Sequence, residues 1–154
     1  MDKRLKLNNE ITVGGQPTKD DLQQLALEGY RSVVNLRYAG EEAEQLSPAA
    51  EGGVVERLGM DYEHLPVAVD ALTSETVDQF RKLFAGLAKP AFVHCKSGKR
   101  AAVFGLLQLP GERDWDGPTV LREAEQMGID LDLPALRDFL EKYATKQSRN
   151  RSAV

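Results

Sequence analysis

Short apolar runs and helical periodicities alternate along the chain. Apolar runs bounded by turn residues predict strands at residues 11–13, 32–36, 62–67 and 91–94. Apolar positions spaced three and four apart predict helices at residues 18–29, 47–59, 74–87, 118–127 and 134–143, with one more that begins near Arg100. Because helices separate successive strands, the pattern predicts an α/β fold with a mostly parallel central sheet flanked by helices and a helical C-terminus.

Capping residues mark several of the predicted helix boundaries. Thr18 and Asp21 have the spacing of a capping box, and Pro48 stands at the first position of the next helix. Gly52 and Gly53 weaken that second helix, since two glycines cost roughly 1.5–2 kcal/mol of helix propensity relative to alanine.

The strand at 91–94 leads into a short basic loop that carries the only cysteine, Cys95. Gly98 permits an unusual backbone angle, so the loop amides can turn inward around one point. The sulfur then faces the N-terminus of the following helix, where unpaired N–H groups favour negative charge. Lys96, Lys99 and Arg100 act in the same direction. We therefore expect Cys95 to be a thiolate nucleophile in an anion-binding loop rather than a small buried hydrophobic residue.

Polar residues adjoin this loop in the predicted sheet. Adjacent strand residues point to opposite faces, so we expect His94 to orient the loop through a hydrogen bond rather than to act as a base for Cys95. Asn35 and Arg37 end a strand at the edge where open α/β sheets bind ligands, and both could contact substrate. The alternative is that Asn35 satisfies a loop and Arg37 is a solvated strand end. The predicted substrate-binding residues are Asn35, Arg37, Lys96, Ser97, Gly98 and Lys99. No histidine has a partner at metal-ligand spacing, so we expect neither a metal nor a cofactor.

The cysteine loop resembles the signature H-C-x-x-G-x-x-R of the cysteine-dependent phosphatases and matches it at His94, Cys95 and Gly98. The arginine differs, because Arg100 comes one residue early and Ala101 occupies the expected position. A loop with four residues between cysteine and arginine resembles that of single-domain rhodaneses, which carry sulfur as a persulfide.

Over residues 11–107 the chain is similar to the phosphatase-like domain of the bacterial beta-lactamase-hydrolase-like family. The similarity lies in segments 11–17 and 32–37 and in the Cys95 loop. That family has the same short loop. The resemblance implies the cysteine-phosphatase version of the α/β architecture.

The resemblance also implies a chemistry. Cys95 would form a covalent intermediate during hydrolysis of a phosphate monoester, Arg100 would stabilise its charge, and Asp70 would protonate the leaving oxygen. Asp70 could instead be a turn or capping residue. Ala101 lacks the hydroxyl that usually helps the thiolate to leave. The alternatives are a sulfurtransferase that carries a Cys95 persulfide and a non-catalytic anion-binding or redox-sensing module.

Length and composition limit the remaining classes. A chain of 154 residues fits one phosphatase-like domain, residues 1–145, followed by a flexible tail, residues 146–154. A net charge of −4 disfavours nucleic-acid binding, and no apolar run suggests a membrane segment or a signal sequence. We expect a cytoplasmic protein whose partner is a phosphorylated or sulfur-donor small molecule or protein. The resemblance adds a persulfide-oxidising enzyme as a companion.

Overall fold

The computed structural model describes residues 4–38, 46–68, 72–109 and 115–152. These ranges hold five strands and six helices. In chain order they are β1 (Leu5–Lys6), β2 (Ile11–Gly14), α1 (Lys19–Leu27), β3 (Ser32–Asn35), α2 (Pro48–Arg57), β4 (Asp61–His64), α3 (Ser74–Ala85), β5 (Ala91–His94), α4 (Lys99–Gln108), α5 (Gly117–Gln126) and α6 (Pro134–Ser152).

The five strands form one sheet in the order β1-β2-β5-β3-β4. Only β1 is antiparallel to its neighbour, so the predicted mostly parallel sheet is confirmed. Strand β5 is central, and its last residue, His94, pairs with Gly14 of β2 and Asn35 of β3. The carboxyl ends of three strands therefore meet where the cysteine loop begins. Strand β1 was not predicted, because two residues are too short to show alternation.

Helices cover both faces of the sheet. Phe92 of β5 faces a core formed with α1 and α2, whereas Ala91 and Val93 face a larger core that includes α3, α4, α5 and α6. This alternation follows from the two-residue period of a strand. Helix α4 is buried from Arg100 to Leu107, as its almost wholly apolar pattern predicts. In the described ranges, no helix combines the length and apolarity needed to cross a membrane.

Most predicted boundaries are confirmed and two differ. The capping box exists, since the Asp21 amide donates to the Thr18 hydroxyl at 3.1 Å and the Thr18 amide donates to the Asp21 carboxylate at 2.9 Å. Strand β4 ends at His64, earlier than predicted, and Pro66 in the following segment has no N–H to donate. Helix α6 continues to Ser152 instead of ending near Tyr143, because the segment between them contains neither glycine nor proline.

Candidate active site

Cys95 lies directly after β5 and its side chain is buried at the N-terminus of α4. Its sulfur accepts hydrogen bonds from the Gly98 amide at 3.2 Å and the Ala101 amide at 3.5 Å. Helix α4 has no side-chain cap of its own, because its N-cap residue is Gly98. Cys95 Sγ thus satisfies amides that the start of a helix leaves without an intrahelical partner. Those N–H dipoles stabilise negative charge on the sulfur.

Glycines let a second backbone segment support the loop. Gly98 has φ of +97°, and a Cβ there would also lie 3.3 Å from the carbonyl carbon of Gly14. A Cβ on Gly15 would lie 3.0 Å from the Lys96 carbonyl oxygen. Next to this contact, the Gln16 amide donates to the same oxygen at 3.1 Å. The residues after β2 therefore form a close backing for the cysteine loop.

The cations of the loop differ in their surroundings. Arg100 is buried and its Nη1 donates to the Val67 carbonyl oxygen at 2.8 Å, which fixes the guanidinium beside the segment after β4. Lys99 forms an ion pair with Asp132 at 2.6 Å, and this hydrogen bond raises the pKa of Lys99. Lys99 is thus cationic but partly neutralised, which the sequence pattern did not predict.

An open cavity of about 420 Å³ lies over the loop. Its wall combines the basic loop with apolar side chains from other segments. The lining residues are Tyr38, Ala68, Lys96, Ser97, Lys99, Arg100 and Leu133. Tyr38 and Leu133 are 46% and 37% exposed, which is unusual for large apolar residues of this protein. An anion with a partly apolar substituent fits such a lining.

Behind the loop lies a cluster of buried polar side chains. Glu51 of α2 is fully buried, and its carboxylate accepts from His94 Nε2 at 2.5 Å and from Gln16 Nε2 at 2.7 Å. Arg37 Nη2 lies 3.7 Å from the same carboxylate. His94 Nδ1 lies 3.4 Å from the Cys95 carbonyl oxygen. The prediction that His94 points away from the sulfur agrees with this geometry.

Two predicted substrate-binding residues do not line the cavity over the loop. The Arg37 side chain is fully buried, and its Nη2 donates to the Leu46 carbonyl oxygen at 3.1 Å. It is therefore neither a solvated strand end nor part of the cavity wall. Asn35 is also buried: its Oδ1 accepts from the Arg37 amide at 2.9 Å and its Nδ2 donates to the Tyr62 hydroxyl. Asn35 thus satisfies a loop, which was the alternative drawn from the sequence.

Asp70, the predicted general acid, lies outside the described residues, so its role stays a prediction. Glu51 was missed by the sequence reasoning although a signal was present. It falls with Pro48, Gly52 and Val55 on the apolar stripe of α2, where a carboxylate requires buried partners. Within the described ranges, no group of three or more His, Cys, Asp or Glu side chains could hold a metal ion.

In this site a buried cysteine lies between the central strand and a helix N-terminus, beside a glycine-bearing loop and an arginine. Together with the sheet, this arrangement defines a fold of the cysteine-phosphatase type. Comparison with known proteins agrees. The chain belongs to the family described as beta-lactamase hydrolase-like protein, phosphatase-like domain, whose model matches residues 2–109.

Individual relatives extend this result. A beta-lactamase hydrolase-like protein of Xylella fastidiosa (strain 9a5c) is 32% identical over 145 residues, which are 93% of this chain and 33% of that protein. The chain thus spans about a third of that relative's length. A candidate phosphatase of Neisseria meningitidis is 25% identical with a TM-score of 0.76, over 90% of this chain and 96% of that one. TpbA of P. aeruginosa shares the fold at 15% identity, with a TM-score of 0.75 over 98% and 91% of the two chains.

Proposed function

We propose that this domain is a cysteine-dependent hydrolase that cleaves a phosphate monoester through a covalent intermediate on Cys95. The observation that carries the proposal is the position of the sulfur, which accepts from two amides at 3.2 and 3.5 Å where α4 begins. Backbone N–H groups in this position stabilise the negative charge that a cysteine sulfur carries as a nucleophile.

The proposed reaction has two displacements at phosphorus. The Cys95 thiolate attacks phosphorus and the ester P–O bond breaks, while the leaving alkoxide takes a proton. The resemblance assigns the donor role to Asp70. Water then attacks the phosphocysteine, the P–S bond breaks, and inorganic phosphate and the thiolate are released. Arg100 and the loop amides stabilise the charge on the equatorial oxygens in both steps.

The loop geometry supports a modest phosphatase. The six-residue loop from Cys95 to Arg100 offers one amide fewer than the phosphatase signature, and Asp132 partly neutralises Lys99. Transferred phosphate needs a ring of donors around three oxygens, so a shorter ring lowers the gain in transition-state binding. We therefore expect detectable but slow hydrolysis of aryl phosphates.

The same short loop favours sulfur transfer as a second candidate. The Cys95 thiolate would attack the outer sulfur of a donor such as thiosulfate, sulfite would leave, and an acceptor such as cyanide would take that sulfur from the persulfide as thiocyanate. A persulfide adds one sulfur atom and needs only a small positive pocket. The family resemblance adds a persulfide-oxidising companion enzyme to this candidate.

The test compares p-nitrophenyl phosphate hydrolysis with thiosulfate-to-cyanide transfer in the wild type and in Cys95→Ser. We expect slow phosphatase activity that Cys95→Ser abolishes, with the urea midpoint unchanged because the substitution is nearly isosteric. Sulfur transfer without phosphatase activity would establish the second candidate instead. Absence of both reactions, with Cys95 still alkylated by iodoacetamide, would indicate a non-catalytic anion-binding or redox module. Phosphatase activity retained by Cys95→Ser would refute Cys95 as the nucleophile.

A further inference from the structure

The cysteine loop is held on both sides by groups that meet at one carboxylate. On one side, His94 precedes Cys95 in the chain and its Nε2 lies 2.5 Å from Glu51 Oε2. On the other side, Gln16 Nε2 donates to Glu51 Oε1 at 2.7 Å. The backbone amide of the same Gln16 donates at 3.1 Å to the carbonyl oxygen of Lys96, the residue after the cysteine. Glu51 thus connects to the residues on both sides of the nucleophile.

We propose that Glu51 is a positioning residue that fixes the cysteine loop by accepting hydrogen bonds from His94 and Gln16. It does not touch the sulfur or any substrate; it acts through these two side chains. The inference rests on the proposed function only for its activity measurements, since the geometry of the loop can also be measured by anion binding.

The orientation of Glu51 is itself fixed by the fold. Helix α2 approaches β4 so closely that a Cβ on Gly52 would lie 2.9 Å from the Tyr62 ring. The Tyr62 hydroxyl donates to the Pro48 carbonyl oxygen at 2.9 Å, which ties the first turn of α2 to the sheet. A carboxylate on a helix held in this way is a rigid acceptor. Rigid support matters because a displacement of about 1 Å in a catalytic group can cost about 100-fold in rate.

The phenyl ring of Phe92 restricts His94 further. The two rings stack with centroids 5.8 Å apart and an interplanar angle of 23°. The imidazole is fully buried, so it cannot exchange Glu51 for water without reorganising this contact. Removal of the Glu51 acceptor would therefore leave the buried imidazole N–H without its partner. The half-buried Gln16 side-chain amide would keep its hydrogen bond to the Pro17 carbonyl oxygen but lose its link to Glu51.

The test uses a matched pair at one position. Glu51→Gln and Glu51→Met both remove the negative charge near Arg37, so the charge effect is common to them. Glutamine at position 51 keeps an oxygen that accepts from His94. It also has an NH2 group that can face the side-chain Oε1 of Gln16. Methionine, of similar length, has neither. The same two substitutions at Glu56, exposed on the same helix, are the controls.

Two readouts are measured on each variant at a temperature where its urea curve shows it to be folded. The first is tungstate affinity by titration calorimetry, which reports loop geometry without turnover. The second is kcat/KM for p-nitrophenyl phosphate. We expect Glu51→Met to weaken tungstate binding and kcat/KM by about 10–100-fold, with Glu51→Gln at least about fivefold better than Glu51→Met in both. The Glu56 variants should match the wild type.

Equal losses in Glu51→Gln and Glu51→Met would overturn the proposal, because the lost negative charge alone would then explain the effect. No loss in either variant would also overturn it, because the hydrogen bonds of Glu51 would then not matter to the loop. If Glu51→Met does not fold, Gln16→Met decides. It removes the hydrogen bond to Glu51 and a second one to the Pro17 carbonyl oxygen, but no charge. Tungstate binding as tight as in the wild type would then overturn the proposal. If the wild type binds tungstate but hydrolyses no phosphate ester, the proposed function fails, while the binding difference between the two Glu51 variants still decides the role of Glu51.

Discussion

Two adjacent glycines of α2 offer a sharp test of how this helix is packed. Gly53 has room, since an added Cβ would meet only the flexible end of Arg57 at 3.5 Å. Gly53→Ala should therefore stabilise the protein by about 0.8–1.0 kcal/mol, which is the difference in helix propensity. For a domain of this size, that gain raises the thermal midpoint by about 2–4 °C.

Gly52 should respond in the opposite direction. A Cβ there would lie 2.9 Å from Tyr62 Cδ2 and 3.0 Å from Cε2, whereas carbon atoms in contact prefer about 3.5–4.0 Å. The ring cannot move away freely, because its hydroxyl bonds with Asn35 at 3.1 Å and with Pro48 at 2.9 Å. Overpacking of this kind costs about 1–3 kcal/mol. After the gain in propensity, Gly52→Ala should be destabilised by about 0–2 kcal/mol.

Urea unfolding followed by the fluorescence of Trp115, the single tryptophan, measures both variants. We expect the two free energies of unfolding to differ by about 1–3 kcal/mol, with equal m-values. If Gly52→Ala is as stable as Gly53→Ala, α2 does not approach β4 as closely as described. The fixed position of Glu51 would then lose its support as well.

Four further predictions concern the site and its helix. Asp70→Asn should slow aryl-phosphate hydrolysis by about 10²–10⁴-fold and leave sulfur transfer to cyanide unchanged. A phosphatase rate equal to that of the wild type would show that Asp70 is a turn residue and not the acid. Inserting one glycine after Gly98 restores the phosphatase spacing, so it should raise aryl-phosphate hydrolysis and lower sulfur transfer; the reverse would show that the short loop is itself the better phosphate site. Asp132→Asn removes the partner of Lys99 and should tighten tungstate binding by up to about fivefold, an effect that must shrink at 1 M salt. Gly105→Ala should destabilise the protein by about 0–2 kcal/mol in urea after the gain in helix propensity, because the new Cβ would lie 2.6 Å from Leu7 Cδ1.

Local sequence signals predicted the parts of the fold that local chemistry determines. The capping box at Thr18, the apolar run into Cys95 and the positive φ of Gly98 each depend on neighbours in the chain. The loop, its cysteine and the helix that follows were therefore predictable, as was the parallel sheet that the alternation of elements requires.

The interior polar contacts were not predictable in the same way. Arg37 is fully buried beside Glu51, although the two residues are distant in the chain and nothing local marks them as partners. Lys99 was counted as a free cation, because its partner Asp132 belongs to the turn between α5 and α6. Such pairings depend on where whole elements pack, which a single sequence does not reveal without knowledge of the register between them.

The burial of α4 has a consequence for how proteins with this architecture could diverge. Side chains from Arg100 to Leu107 are enclosed, so the helix that follows the cysteine loop has little freedom to shift or to accept larger residues. The rim of the cavity over the cysteine loop includes Tyr38 and Leu133, and their exposed side chains are not enclosed in this way. New substrate preferences should therefore arise by exchange of rim residues, and laboratory evolution that randomises the rim should yield more folded, active clones than the same effort spent on α4.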